Sequence, residues 1–317
     1  MVGAVLVHAG RIIGEGYHEK YGGPHAEPNC IAGVLPADTH LIPQSTLYVS
    51  LEPCSHFGKT PPCADLIIKM KIPNVIIGCR DSFEEVNGSG IEKMKAAGIN
   101  VISGILEQEC RALNKRFFTF HEQQRPYIIL KWAQSNNGKI SGENYQPIKI
   151  SNKFTDRLVH KWRSEEAAIL IGANTALHDN PSLTTRWWKG NNPVRILLDN
   201  ELIISQEAKF FNEESKTIII NGKKAQEEGT NFYRRAEKGV EAALSVLYKE
   251  KILSVIIEGG AKTLQAFINN GCWDEARVIT NNSLIIPRGL AAPQLKSAQI
   301  TKTEHIFSDK INYYTGH

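Results

Sequence analysis

His25-Ala26-Glu27 and, downstream, the run PCSHFGKTPPC at 53–63 decide how this chain is read. One imidazole (His25) and two thiolates (Cys54, Cys63) are three ligands of the kind zinc takes, and three ligands leave the fourth tetrahedral position open to water. Zinc lowers the pKa of such a water towards neutrality, so that it can attack an electrophilic carbon. A carboxylate two residues after the histidine is then placed to move the protons. Glu27 is that carboxylate. A lone His-x-Glu is common, and a pair of cysteines in a chain with six is more often ordinary buried thiol. The joint pattern carries the reading: His-x-Glu at an expected helix start, Pro-Cys closing the strand-like run TLYVSLEPC (46–54), then Cys63 before a helical segment.

This order of residues resembles the zinc-dependent hydrolytic deaminases of heterocyclic bases. Most of that superfamily carries Cys-x-x-Cys, whereas here eight residues separate Cys54 from Cys63. A loop that long can line a substrate pocket, and it contains His56, Gly58 and Lys59. The stretches HEKYGGPHAE (18–27) and EPCSHFGKTPPC (52–63) are similar, nearly residue for residue, to the bifunctional deaminase/reductase family of riboflavin biosynthesis. The likeness runs essentially end to end, closer up to about residue 120 and looser beyond. It implies an α/β chain with a cytidine-deaminase-like N-terminal domain and a dihydrofolate-reductase-like C-terminal domain. His56 and Lys59 on the loop are candidates for substrate contact, the other reading being that either caps the loop itself.

The 317 residues suit two domains, and 42% hydrophobic with 22% charged residues allow each its own core. No apolar run approaches the ~18 residues of a membrane span, and MVGAVLVHAG lacks the basic start of a signal peptide. A cytoplasmic enzyme that does not engage membranes is therefore expected. The remaining cysteines, Cys30, Cys79, Cys110 and Cys272, are irregularly spaced and read as reduced and structural. Net charge is +4, but residues 1–122 hold 11 Lys/Arg against 13 Asp/Glu, while residues 123–317 hold 26 against 20. A nucleic-acid editing enzyme needs cationic surface around its deaminase site. An acidic first half instead favours a small molecule and no nucleic-acid partner.

Hydrophobic patterning predicts a hairpin from Val2–Val7 and Arg11–Tyr17, a helix from His25 to Val34, and strands at Thr46–Leu51, Val75–Gly78 and Val101–Ser103. Helices are expected at Ala64–Met70, Ile91–Ala97 and Glu107–Phe118. The polar stretch His121–Pro126 marks a boundary between a deaminase domain (1–122) and a reductase domain (123–317). In the second half, strands are expected at Tyr127–Ala133, Ala168–Gly172, Val194–Asp199, Thr217–Asn221 and Ser254–Ile257, and helices at Thr155–Arg163, Val240–Lys249 and Lys262–Asn269.

VIIEGGAKTLQAF (255–267) reads as strand, diglycine turn and helix, an arrangement that offers backbone N–H groups and a helix dipole to an anion. It is not G-x-G-x-x-G, so a Rossmann fingerprint is absent. The resemblance implies NADPH held another way: Ala133, Thr175, Asp179 and the turn Gly260, Ala261, Lys262, Thr263 and Leu264 would meet the cofactor. Arg163, Leu183, Arg186 and Glu258 would face a phosphoribosylated pyrimidine. Two positions depart from the family pattern. Asn137 stands where an Asp is usual in S-x-D-G, and Lys149, at the cofactor, where a Trp is common.

The implied function is hydrolytic deamination of 2,5-diamino-6-(5-phosphoribosylamino)pyrimidin-4-one by a zinc site, then NADPH-dependent reduction of its ribosyl group to ribityl, in a homo-oligomer. Two other readings stand beside it. One is a nucleoside or tRNA-base deaminase with an appended non-catalytic binding domain, which the acidic first half opposes. The other is a chain whose reductase half has lost catalysis, for which Asn137 and Lys149 speak. A helix and a P-N-P turn precede the first strand in the family, whereas Met1-Val2-Gly3 already enters it here. The expectation is an upstream extension in the native protein, or else a weakened deaminase half.

Overall fold

The computed structural model describes residues 1–20, 22–58, 60–82 and 88–316. They fall into two compact units, Met1–Gln123 and Gln124–His317.

In the first unit β1 (Gly3–His8) and β2 (Arg11–Tyr17) form a hairpin. Its two turn residues, Ala9 and Gly10, both have positive φ (46° and 80°), which matches the twist of the flanking strands. Next come α1 (Ala26–Ala32), a 3₁₀ segment (Pro36–Gln44), β3 (Thr46–Leu51), α2 (Cys63–Lys69), β4 (Asn74–Cys79), α3 (Ser89–Ala96) and β5 (Asn100–Ser103). Two further helices, α4 (Glu107–Leu113) and α5 (Lys115–Gln123), complete the unit. The sheet order is β2-β1-β3-β4-β5, with β1 antiparallel to both neighbours and β3, β4 and β5 parallel. Leu6, Leu47, Val49, Val75 and Ile77 from the strands pack with Cys30, Ile67 and Met94 from the helices. Gly16 lets α1 lie directly on β2, since a Cβ there would sit 2.3 Å from Cys30 N. That contact sets where the start of α1, with His25 and Glu27, stands on the sheet.

The single helix expected over Glu107–Phe118 is broken at Asn114, where φ is −112° and ψ 22°. The Asn114 side chain bonds the Met1 amino group and Cys110 O, and such local polar bonds compete with helix continuation.

In the second unit β6 (Tyr127–Ser135), α6 (Lys153–Glu165), β7 (Ala168–Gly172), α7 (Ala173–Asp179), β8 (Val194–Leu198) and β9 (Thr217–Asn221) are followed by β10 (Gln226–Glu228) and β11 (Asn231–Arg235). Then come α8 (Val240–Lys249), β12 (Ser254–Ile257), α9 (Ala261–Asn269), β13 (Glu275–Asn281), β14 (Gln299–Ile306) and β15 (Asp309–Thr315). Among the described residues the sheet order is β10-β11-β9-β8-β7-β12-β6-β13-β15-β14. The strands from β11 to β13 in that order run parallel. Both faces are covered, as parallel sheets require. Ile128 and Leu130 of β6 enter one core cluster, and Tyr127 and Ile129 the other. Asn152 caps α6, its side-chain oxygen accepting from Phe154 N and Thr155 N.

The sequence pattern had placed nothing at α7, β10, β11, β13, β14 or β15. In β13 the pairing of Arg277 with Glu275 at 2.6 Å buries two charges and hides a core strand behind a polar pattern.

Candidate active sites

His25 is the N-cap of α1, in extended conformation (φ −73°, ψ 175°), and Glu27 lies in that helix's first turn. Cys54 follows the end of β3, and Cys63 is the first residue of α2. Cys54 Sγ lies 3.5 Å and Cys63 Sγ 3.4 Å from His25 Nδ1, and the three ligand atoms all lie within 4.8 Å of one another. A tetrahedral zinc with ordinary Zn–N and Zn–S bonds needs N···S separations of about 3.5 Å. The donor set and its spacing therefore fit zinc.

A hydrogen bond from Cys63 lowers the Cys54 thiol below its ordinary pKa against the opposing effect of burial, and His25 adds to the lowering. Cys63 N also points to Cys54 Sγ at 3.4 Å, and Ala64 N donates to Cys54 O at 3.0 Å. Glu27 is 3% exposed, and burial raises its pKa above the usual carboxylate value, as proton exchange nearer neutrality requires. The His18 ring stands edge-on to His25 with centroids 5.4 Å apart. His56 is half-buried on the loop between the two cysteines, and Lys59 lies outside the described residues.

A cavity of about 740 Å³ opens in the second unit, where β6, β7, β8 and β12 end. Ligands of open α/β sheets bind beyond the carboxyl ends of the strands. The residues expected to meet the cofactor are brought together in its wall: Ala133, Lys149, Thr175, Asp179, Gly260, Ala261, Lys262, Thr263 and Leu264. The diglycine has two separate steric causes. A Cβ on Gly259 would lie 2.6 Å from Ile171, whereas Gly260 has φ +60° and a Cβ there would fill the cradle 2.9 Å from Thr175 Oγ1. This cradle, Lys262 beside it and the size of the cavity fit a dinucleotide phosphate, cofactor pockets being on the order of 300–1,000 Å³.

Of the residues expected at the substrate, Glu258 also lines the cavity, while Arg163, Leu183 and Arg186 are not in its wall. Arg163 instead clamps Glu258 through Nε and Nη2, each at 2.7 Å, and donates to Thr184 O at 3.2 Å. Lys131 Nζ adds a contact to Glu258 at 3.3 Å. Burial pushes the Glu258 carboxyl up, but Arg163 and then Lys131 outweigh it and hold its pKa at about 2. Leu183 is buried with φ +54°, and exposed Arg186 donates to Ser182.

The two departures from the family pattern have local partners. Lys149 pairs with Asp156, and Asn137 accepts from Ile286 N at 3.1 Å while donating to Ile286 O at 2.9 Å. A carboxylate could not make both bonds. Sequence reasoning had passed over Lys131 and Glu52. The signal for each was a lone charge closing or interrupting an apolar run, in YIILKWA and TLYVSLE.

Residues 1–79 match the cytidine and deoxycytidylate deaminase zinc-binding region, and residues 126–285 match the RibD C-terminal domain. The riboflavin biosynthesis protein RibD of Aquifex aeolicus is 38% identical over 98% of this chain and 88% of its own length. That of Bacillus amyloliquefaciens is 36% identical over 94% and 82%. A diaminohydroxyphosphoribosylaminopyrimidine deaminase/5-amino-6-(5-phosphoribosylamino)uracil reductase from Thermotoga maritima superposes with a TM-score of 0.90 at 35% identity, covering 100% of this chain and 92% of that one. Acinetobacter baumannii RibD gives a TM-score of 0.89 at 26% identity.

Fold and site thus define a zinc-binding, cytidine-deaminase-like domain joined to a dihydrofolate-reductase-like domain that uses NADPH. The chain belongs to the RibD family of riboflavin biosynthesis proteins, which carry a deaminase and a reductase activity on one polypeptide.

Proposed function

We propose that this chain deaminates 2,5-diamino-6-(5-phosphoribosylamino)pyrimidin-4-one in residues 1–122 and reduces the ribosyl group of the product to ribityl in residues 123–317. The observation that carries the first step is the convergence of His25, Cys54 and Cys63 beside buried Glu27. These three residues hold the metal, and zinc, when bound, supplies the Lewis acidity that makes water nucleophilic near neutral pH. Glu27 takes the proton from that water and returns it to the departing amine, which its raised pKa favours. His56 and Lys59 meet the substrate from the loop between the cysteines.

In the second step NADPH, when bound, supplies the hydride. The Gly260–Leu264 turn and Lys262 take the diphosphate, and Ala133, Lys149, Thr175 and Asp179 line the rest of the cofactor site. Glu258, kept ionised by Arg163 and Lys131, is the acceptor for the amino-substituted pyrimidine, with Arg186 and Leu183 completing the substrate side. The acidic first half supports a small-molecule substrate over nucleic acid. A homo-oligomer in the cytoplasm completes the reading.

The test is a two-stage assay of the purified chain. Ammonia should be released from the diaminopyrimidine without NADPH, and NADPH should be oxidised once deaminated product is present. Ammonia release with no NADPH oxidation on authentic product would leave the second half a binding module.

A further inference from the structure

Glu52 takes no part in these proton transfers, yet it is 3% exposed and its carboxylate accepts four backbone N–H bonds. Oε2 accepts from Asp81 N at 3.3 Å and Gly88 N at 3.0 Å, and Oε1 from Gly90 N and Ile91 N, both at 3.1 Å. Three of these donors belong to the start of α3. That helix has Gly88 as its N-cap and no side-chain cap of its own. Its cap comes instead from Glu52, just past the end of β3, beside the turn that carries Cys54.

Two further contacts press the same pieces together. Gly90 approaches so closely that a Cβ there would lie 2.0 Å from Pro53 O, and the hydroxyls of Ser55 and Ser89 meet at 2.5 Å. The Pro53–Ser55 turn is thus gripped by the first turn of α3 on one flank. On the other, the first turn of α2 holds it through Ala64 N to Cys54 O and Cys63 N to Cys54 Sγ.

We propose that Glu52 is a positioning residue for Cys54. It ties the turn bearing this ligand to α3, so that the thiolate is held at its separation from His25 and Cys63 before metal arrives. The proposal rests on the reading of His25, Cys54 and Cys63 as the zinc ligands. Glutamine at 52 would keep one accepting oxygen but turn an NH₂ towards two N–H donors, releasing one side of the grip. Groups that orient metal ligands from outside the ligand set are worth roughly 10–100-fold in metal affinity.

The experiment compares full-length wild type, Glu52→Gln and Cys54→Ser in competition with a zinc chelator. It also compares thiolate-to-metal charge-transfer absorption after cobalt substitution and melting of the metal-free proteins. The expected result for Glu52→Gln is roughly 10–100-fold weaker zinc binding and a weakened charge-transfer band, beside lower metal-free melting because two buried N–H donors lose their acceptor. Wild-type zinc affinity in Glu52→Gln, with zinc lost from Cys54→Ser, would overturn the role of Glu52 alone. So would weaker binding with an intact two-thiolate spectrum, which is general destabilisation. Wild-type zinc affinity in Cys54→Ser would overturn the ligand assignment itself. Should Glu52→Gln not fold, Glu52→Asp carries the same test. It keeps the charge but draws the carboxylate back by one methylene, and wild-type zinc affinity there would equally overturn the proposal.

Discussion

Glu27 and Glu258 are both buried carboxylates, and their surroundings drive them in opposite directions. Burial raises Glu27, while Arg163 and Lys131 override burial at Glu258. Glu27→Gln should retain zinc, because Glu27 is not among the ligand atoms, and lose roughly 10²–10⁴-fold in deamination. Elemental analysis with ammonia release checks both halves of that statement. Glu258 holds a folded-state pKa of about 2 against its ordinary 4.5, so its stabilising contribution is complete above pH 4.5 and is lost as pH falls towards 2. The full loss is on the order of 3 kcal/mol. His160, buried and lowered from 6.5 to about 4 by burial and then by Arg163 and Arg186, acts earlier. The unfolded chain binds its proton first, so stability declines as pH drops from 6.5 towards 4. All five tryptophans lie beyond residue 123, so urea midpoints followed by their fluorescence report on this unit. They should fall in two stages between pH 7 and pH 3, and Glu258→Gln should remove the later stage.

The elements that form the sites are set by close backbone approaches, which small residues permit. Gly259 allows β12 to end against β7, and Gly260 turns the chain with positive φ into α9. Gly260→Ala adds strain of roughly 1–3 kcal/mol, since φ 60° with ψ 134° is a conformation that side-chain-bearing residues rarely adopt, and places a methyl group in the cradle. NADPH dissociation constants, read from quenching of the tryptophans, should rise about tenfold or more, while zinc content stays unchanged. An unaltered constant would show that the cofactor lies elsewhere in the cavity. Element type was legible wherever apolar residues kept a period, as in β3 and α8, or ran together as a short buried strand, as in β7 and β9. The break at Asn114 and the strands β13 and β15 were not, because each depends on polar partners far along the chain: Met1 for Asn114, Asn281 paired with Asp309 for β15, and Glu166, 3.9 Å from Arg277, for β13.

At the scale of the whole chain, two compact units with separate cores and separate sites predict separable chemistry. Glu27→Gln should leave reduction of pre-deaminated substrate within about twofold of wild type, a change below roughly 0.5 kcal/mol, and Gly260→Ala should likewise spare deamination. Joint loss of both activities in either variant would show that the units depend on each other. The sequence by itself determined the chemistry of the first half, since His-x-Glu, Pro-Cys and a second Cys restrict ligand type and number whatever surrounds them. It also determined the strand–diglycine–helix turn of the second half, where sterics admit little but glycine. Tertiary structure decided the rest. Only folding shows that Arg163 and Lys131 are spent on Glu258 within the protein, that Asn137 is an amide because it must both donate to and accept from Ile286, and that Glu52 holds the turn of Cys54. The physical reason is range: ligand chemistry is a property of residue type, whereas a buried charge takes its meaning from partners that the chain brings back from many residues away.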